Sequence, residues 1–251
     1  VSSTSWLIPD WPVPSGVHAV CSTRAGGVSR GNYQGLNLGD HVGDEPEHVR
    51  ANRAVLRQGV GARPVFLQQV HGTHVAALDG SSTDGIVADA STTTEGGVAC
   101  TIMVADCLPV LFTDAAGRRI AAAHAGWRGL AGGVLERTIE SFGSDAYRPE
   151  LMAWLGPCIG PDAFEVGDEV RAAFEPATQN AATCFKPATS PDKWLADLSG
   201  LARQRLRAAG VTQLYGNDSS EDWCTVHNPL RFFSHRRDRI SGRFAACIWR
   251  D

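Results

Sequence analysis

The sequence predicts an α+β fold built as one domain over residues 1–251, and three observations carry that reading. Apolar runs with strand character recur along the whole chain. They arrive in hairpins as often as in strand–helix–strand units, which favours α+β. Glycine and proline turns are spread evenly, and no linker, repeat or low-complexity tract divides the chain.

The elements follow in order. Residues 17–24 (VHAVCSTR) alternate and are β-branched enough for a strand. A glycine- and asparagine-rich stretch of about twenty residues comes next, and a loop of that length is usually functional or disordered. Asp44 is placed to cap a helix that carries Pro46 in its first turn and ends near Gly59. Residues 64–70 read as a strand ending at His71-Gly72, with short strands at 74–78 and 84–89. The run 99–107 (ACTIMVADC) is nearly all apolar, hence a buried strand. PVLFTD and RRIAAAHA flank Ala115-Ala116-Gly117 and read as an antiparallel hairpin. Residues 129–142 are expected to be helical, with Val134, Leu135, Thr138 and Ile139 on one face. LMAWLGPCIG (151–160) reads as a strand closing in a Gly-Pro turn, and 167–176 and 194–208 as helices. The second helix shows a stripe of Leu195, Leu198, Leu201, Ala202 and Leu206. FAACIWR at the end is a strand.

Composition narrows the function. Hydrophobic residues make up 43% and charged residues 20%, as in an ordinary globular protein. A net charge of −4 and a pI of about 6.1 speak against a nucleic-acid partner. Arginines do cluster at Arg231, Arg236, Arg237, Arg239 and Arg243, which reads as local anion binding. No apolar run reaches the ~18 residues of a membrane span. Residues 1–20 show neither a basic start nor an apolar signal core, so a cytoplasmic protein without membrane contact is expected. Seven cysteines, an odd number in a long chain, argue against a disulfide framework. Most should be small buried hydrophobes.

Three polar residues end apolar runs: His71 after PVFLQQV, Cys107 after ACTIMVAD and His124 after RRIAAA. Strand ends combine rigidity with access. Two imidazoles and a thiolate are a zinc ligand set, and their spacings of 36 and 17 residues resemble a catalytic site more than the paired ligands of a structural one. Taken singly, each is more commonly a hydrogen-bonded or core residue than a ligand. Asp106 could orient a ligand or cap a turn. His74 points away from His71 on a strand. Arg128, in a glycine-flanked turn at an expected helix start, marks an anion site or simply pairs with a carboxylate. Cys224 and His227 form a CxxH pair with no partner pair, and Asn217, Asp218 and Asp222 read as solvated loop.

These words also carry a resemblance. Gln69-Val-His71-Gly72, Ala105-Asp106-Cys107-Leu-Pro109, His124-Ala-Gly-Trp-Arg128-Gly129, Gly156-Pro-Cys-Ile-Gly160, Phe232-Phe-Ser234-His-Arg-Arg237-Asp238 and Gly242-Arg243 occur in this order. Thr23-Arg24-Ala-Gly-Gly27-Val-Ser29 and Leu36-Asn37-Leu38-Gly39 precede them. The chain resembles the bacterial family labelled polyphenol oxidase or laccase-domain protein, whose members act as purine nucleoside phosphorylases. The resemblance covers essentially the whole chain. It implies a four-layer α/β/β/α sandwich with mixed sheets and zinc on His71, Cys107 and His124. It also implies phosphorolysis of adenosine, inosine, guanosine and methylthioadenosine, and deamination of adenosine. Arg128 joins the catalytic set, and Arg24, Asn37 and Arg243 the expected binding set. His235 and Phe164 stand where the family often has tyrosine, a departure that bears on substrate contacts.

The alternatives are distinct. A multicopper oxidase needs roughly ten histidines in HxH pairs; this chain has eight and no HxH. A single bound copper fits the ligand types as well as zinc does. A cysteine hydrolase would use Cys107 as nucleophile and His124 or His71 as base. A nucleoside-binding protein would bind without turnover. The expected partners are purine nucleosides and phosphate, and the expected state is a monomer.

Overall fold

The computed structural model describes residues 6–143, 149–176, 178 and 180–251. The first half holds β1 (Val17–Cys21), α1 (Pro46–Val60), β2 (Arg63–Phe66), β3 (Val75–Ala77), β4 (Ala90–Thr93), β5 (Val98–Val104), β6 (Leu108–Asp114) and β7 (Ile120–Ala125). The second holds α2 (Trp127–Gly132), α3 (Val134–Glu140), β8 (Leu151–Leu155), β9 (Glu165–Gly167), α4 (Asp168–Phe174), β10 (Phe185–Pro187), β11 (Lys193–Ala196), α5 (Leu198–Ala208), β12 (Gln213–Gly216), α6 (His235–Asp238) and β13 (Phe244–Arg250).

Two mixed sheets form the centre. One runs β1-β13-β5-β2 and the other β12-β8-β6-β7-β4-β3; β10, β11 and β9 make a small third sheet. The strands alternate between two apolar environments, as a period of two dictates. Val98, Cys100, Ile102 and Val104 of β5 meet Ile120 and Ala122 of β7 and Met152 and Trp154 of β8 in the core between the sheets. The other face of β5, with Ala99 and Met103, packs with Leu56 and Val60 of α1. The outer face of the second sheet, with Phe112, Ala121 and Ala123, packs under α3 and α5 through Leu135, Ile139, Leu201 and Leu206. The layers therefore run α1, sheet, sheet, α2–α5: the four-layer sandwich that the resemblance implies.

Several boundaries differ from the sequence reading. The cap of α1 is Glu45; Asp44 instead accepts hydrogen bonds from Ser29 and Asn37. The helix runs on to Val60 and stops at Gly61, which takes the left-handed backbone (φ 71°) that favours glycine. Residues 84–89 are not a strand, apart from a bridge at Val87; the strand is β4, directly after them. The helix expected over 129–142 begins earlier, at Trp127, and is broken at Gly133 (φ 98°). Residues 194–196, read as the start of a helix, belong to β11; Asp197 caps α5 behind them by accepting from the Gly200 amide. The long loop after β1 is held by buried Asn52, which donates to Ser29, Gly35 and Asn37 and accepts from the Val28 amide. Asn217 is buried and donates to the Gly156 carbonyl rather than facing solvent.

Candidate functional site

His124 is the next-to-last residue of β7 and shares the parity of Ile120 and Ala122, so its ring faces the space between the two sheets. The two-residue overhang after β5 turns sharply at Asp106 (φ 96°) and delivers Cys107 to the start of β6. His71 sits in the loop after β2 in a left-handed conformation (φ 60°). The donor atoms of His71, Cys107 and His124 all lie within 4.8 Å of one another. Cys107 Sγ is 3.7 Å from His71 Nε2, and the two imidazole rings meet edge to face at 4.8 Å. Among the described residues this is the only group of three or more such ligands brought together.

A neighbouring carboxylate that the sequence reading passed over belongs to the same structure. Asp89 is fully buried, and its Oδ1 lies 2.9 Å from His124 Nδ1. The same carboxylate accepts the backbone N–H groups of Val70, His71 and Gly72. Gln69 adds a second tie: its side-chain amide accepts from the Met103 N–H and donates to the Met103 carbonyl. Asp89 stands at the end of an apolar run just as His71, Cys107 and His124 do, which is the signal that could have found it.

The electrostatics suit metal binding. Burial disfavours ionisation of Cys107, but the charge of His124 and hydrogen bonds from His124 and His71 outweigh it and lower the thiol to about 6. Burial likewise opposes charge on His124, yet Cys107 and Asp89 raise it to about 9. The metal-free pair is thus a thiolate beside an imidazolium, and a cation would replace the proton. With Nδ1 engaged by Asp89, His124 keeps Nε2 for a metal. Glycine is required beside these side chains: a Cβ on Gly126 would lie 2.9 Å from both Cys107 Sγ and His71 Cδ2. A Cβ on Gly129 would meet the Gly72 carbonyl at 2.8 Å.

The His71–Cys107–His124 cluster opens into a cavity of about 420 Å³. Trp127, Phe164, Ile159 and Leu198 give it apolar walls, and Arg128, Arg236, Arg239 and Arg243 give it positive charge. Among the described residues Asp106 is the only carboxylate lining it, and both its oxygens are engaged, by the Thr225 hydroxyl and the Arg236 amide. Arg243 is the most enclosed of the cations, and burial lowers its pKa. One nitrogen donates to the carbonyls of Ser241 and Gly242, leaving the rest of the fork without a protein partner among the described residues. Arg128 lies over the Trp127 ring at 4.4 Å. It stands at the start of α2, which at six residues supplies only a small dipole, so side chains carry the positive potential.

Other expected residues lie elsewhere. Arg24 donates to the carbonyls of Pro229 and Gln34, stacks on Phe233 and lines a separate open groove. Asn37 is fully buried; its side-chain oxygen accepts the Arg243 amide, so it supports that backbone from behind. Arg231 and Arg237 tie down backbone carbonyls outside the cavity. Cys224 accepts the Gly160 amide and His227 faces Glu221. His235 and Phe164, the two departures from the family pattern, both line the cavity.

The comparisons with known proteins agree with this architecture. Residues 18–251 match the family model described as multi-copper polyphenol oxidoreductase laccase. The chain is 51% identical over 245 residues to the Pseudomonas aeruginosa purine nucleoside phosphorylase PA4543, covering 98% of each. It is 50% identical over 246 residues to the Escherichia coli purine nucleoside phosphorylase YfiH, covering 97% of this chain and 98% of that one. Among solved structures, Neisseria meningitidis protein NMB0706 superposes with a TM-score of 0.89 at 49% identity, covering 98% of this chain and 99% of that one. YlmD from Geobacillus stearothermophilus gives 0.89 at 32% identity, covering 100% and 97%. Alike in fold to these structures and in half its residues to these relatives along nearly their full length, the chain belongs to the multi-copper polyphenol oxidoreductase laccase family.

Proposed function

We propose that the protein is a zinc-dependent purine nucleoside phosphorylase acting on adenosine, inosine, guanosine and methylthioadenosine, with adenosine deaminase activity. The observation that carries the reading is the union of the His71–Cys107–His124 ligand set with a cavity whose walls are aromatic and whose cations outnumber its carboxylates. The names of the relatives supply the reaction class. Purine and phosphate match the two kinds of wall. Trp127 and Phe164 offer flat apolar surfaces to the base. Arg243, with Arg128 and Arg239 nearer solvent, holds and orients the phosphate dianion for attack at ribose C1′. The same cations balance the charge that develops as the purine leaves. Zinc held by His71, Cys107 and His124 supplies Lewis acidity and lowers the pKa of water toward ~7, the chemistry that deamination needs.

The family's name describes copper oxidation. Three clustered ligands cannot build the several copper centres of a multicopper oxidase, although their N/S donors would also accept one copper ion. A second reading has a specific observation behind it: Cys107 is hydrogen-bonded to His124 and His124 to Asp89, the order of nucleophile, base and orienting acid. It predicts turnover without metal.

The test is direct. The protein is purified without added metal, its zinc and copper are measured, and it is assayed with adenosine with and without phosphate, following adenine, inosine and hypoxanthine. About one zinc per chain, as three protein ligands and one open position imply, with phosphate-dependent adenine release lost in His124→Ala, is expected. Metal-free turnover would move the assignment to the cysteine reading. A zinc protein inert to every nucleoside would leave a binding protein.

A further inference from the structure

We infer that Asp89 is the positioning residue that builds the metal site, shaping two of its three ligands with one carboxylate. The inference rests on the metal reading of the triad. Each contact of the Asp89 side chain has the carboxylate as acceptor. Oδ1 takes the His71 amide at 2.8 Å and His124 Nδ1 at 2.9 Å; Oδ2 takes the amides of Gly72 at 2.6 Å and Val70 at 3.2 Å. Three successive amides converging on one anion impose the left-handed backbone at His71, which a non-glycine residue adopts only when its surroundings enforce it. The bond to Nδ1 fixes the His124 tautomer and turns Nε2 toward Cys107. The Asp89 carbonyl also accepts the His124 amide at 2.7 Å, so the two residues are locked through backbone and side chain together. His71 and His124 come from separate elements, and Asp89 makes their geometry a single unit.

An asparagine at this position cannot substitute in either orientation. Turned one way, its NH₂ confronts the donating amides of Val70 and Gly72. Turned the other, it confronts the His71 amide and His124 Nδ1, and His124 must then carry its proton on Nε2, where the metal lone pair is needed. Asp114 provides the control. It too is buried and accepts three backbone amides, of Ala116, Arg118 and Arg119, but it is the last residue of β6, at the β6–β7 turn and at the other end of that strand from Cys107.

The experiment compares zinc affinity by chelator competition in the wild-type protein, Asp89→Asn and Asp114→Asn, with thermal unfolding of each metal-free protein. Asp89→Asn is expected to weaken zinc binding about 10- to 100-fold, while Asp114→Asn lowers the unfolding temperature and leaves zinc affinity unchanged. In parallel, ¹⁵N NMR of the zinc-loaded wild-type protein should show a protonated Nδ1 and a metal-bound Nε2 at His124, a readout that needs no variant to fold. Zinc bound through Nδ1 overturns the inference. So does equal loss of affinity in both variants, or wild-type affinity in Asp89→Asn. If the wild-type protein binds no zinc, the metal reading falls and this inference with it; the other outcomes overturn the role of Asp89 alone.

Discussion

Gly126→Ala isolates the proposed metal site from the rest of the fold. Gly126 has φ −67° and ψ 158°, a conformation that alanine adopts without strain. Its backbone gives no reason for destabilisation. The added methyl would instead lie 2.9 Å from Cys107 Sγ and 2.9 Å from His71 Cδ2. Comfortable contact begins at about 3.5 Å, so the side chains must give by about 0.6 Å. Metal–ligand distances tolerate only about ±0.2 Å. His71 is exposed and can swing aside in the metal-free protein, but not while ligating. The expected result is a 10- to 100-fold loss of zinc affinity, about 1.4 to 2.8 kcal/mol. The metal-free protein should unfold within a few degrees of wild type. Chelator competition and a thermal melt measure the two quantities on one preparation. Wild-type zinc affinity in Gly126→Ala would refute the reasoning, because a metal held by these residues has no room for the methyl.

Three further outcomes follow from the geometry. In the metal-free protein, alkylation of Cys107 by iodoacetamide should rise with pH through a midpoint near 6, since the thiolate is populated above a lowered pKa; His124→Ala removes the main attraction and should move the midpoint toward the ordinary ~8.5, and a wild-type midpoint already there would contradict the thiolate–imidazolium pair. Gly133→Ala forces a side chain into a left-handed backbone at the junction of α2 and α3 and should cost about 1–2 kcal/mol in urea unfolding, with a neutral result showing that the break is not needed. Arg243→Ala should raise KM for phosphate by about tenfold or more with less effect on KM for the nucleoside, and Arg243→Lys should recover part of the loss; a selective effect on the nucleoside would reverse the assignment of the two walls.

Residue pattern alone gave the α+β class, because periodicity is local; the layering came from the family resemblance. The alternating and continuous apolar runs of β5, β6, β7 and β13 declare their burial without reference to any partner. It also placed His71, Cys107 and His124 at the ends of buried runs, where a side chain is both fixed and accessible. Tertiary structure decided what local pattern cannot encode. The stripe that began at Leu195 looked helical until pairing with β9 and β10 made residues 193–196 a strand. Gly133 reads as an ordinary helical glycine until packing sets its φ to 98°. Arg24 and Arg243 look alike in a motif, yet only Arg243 reaches the cavity, because Asn37 and the loop after β1 hold it there while Arg24 is spent on carbonyls. Asp89 is one acid among many in the chain. Its role exists only where sheet pairing brings β4 beside β7, and with it Asp89 beside the His71 loop and His124, a convergence of residues 18 and 35 positions apart that no spacing announces.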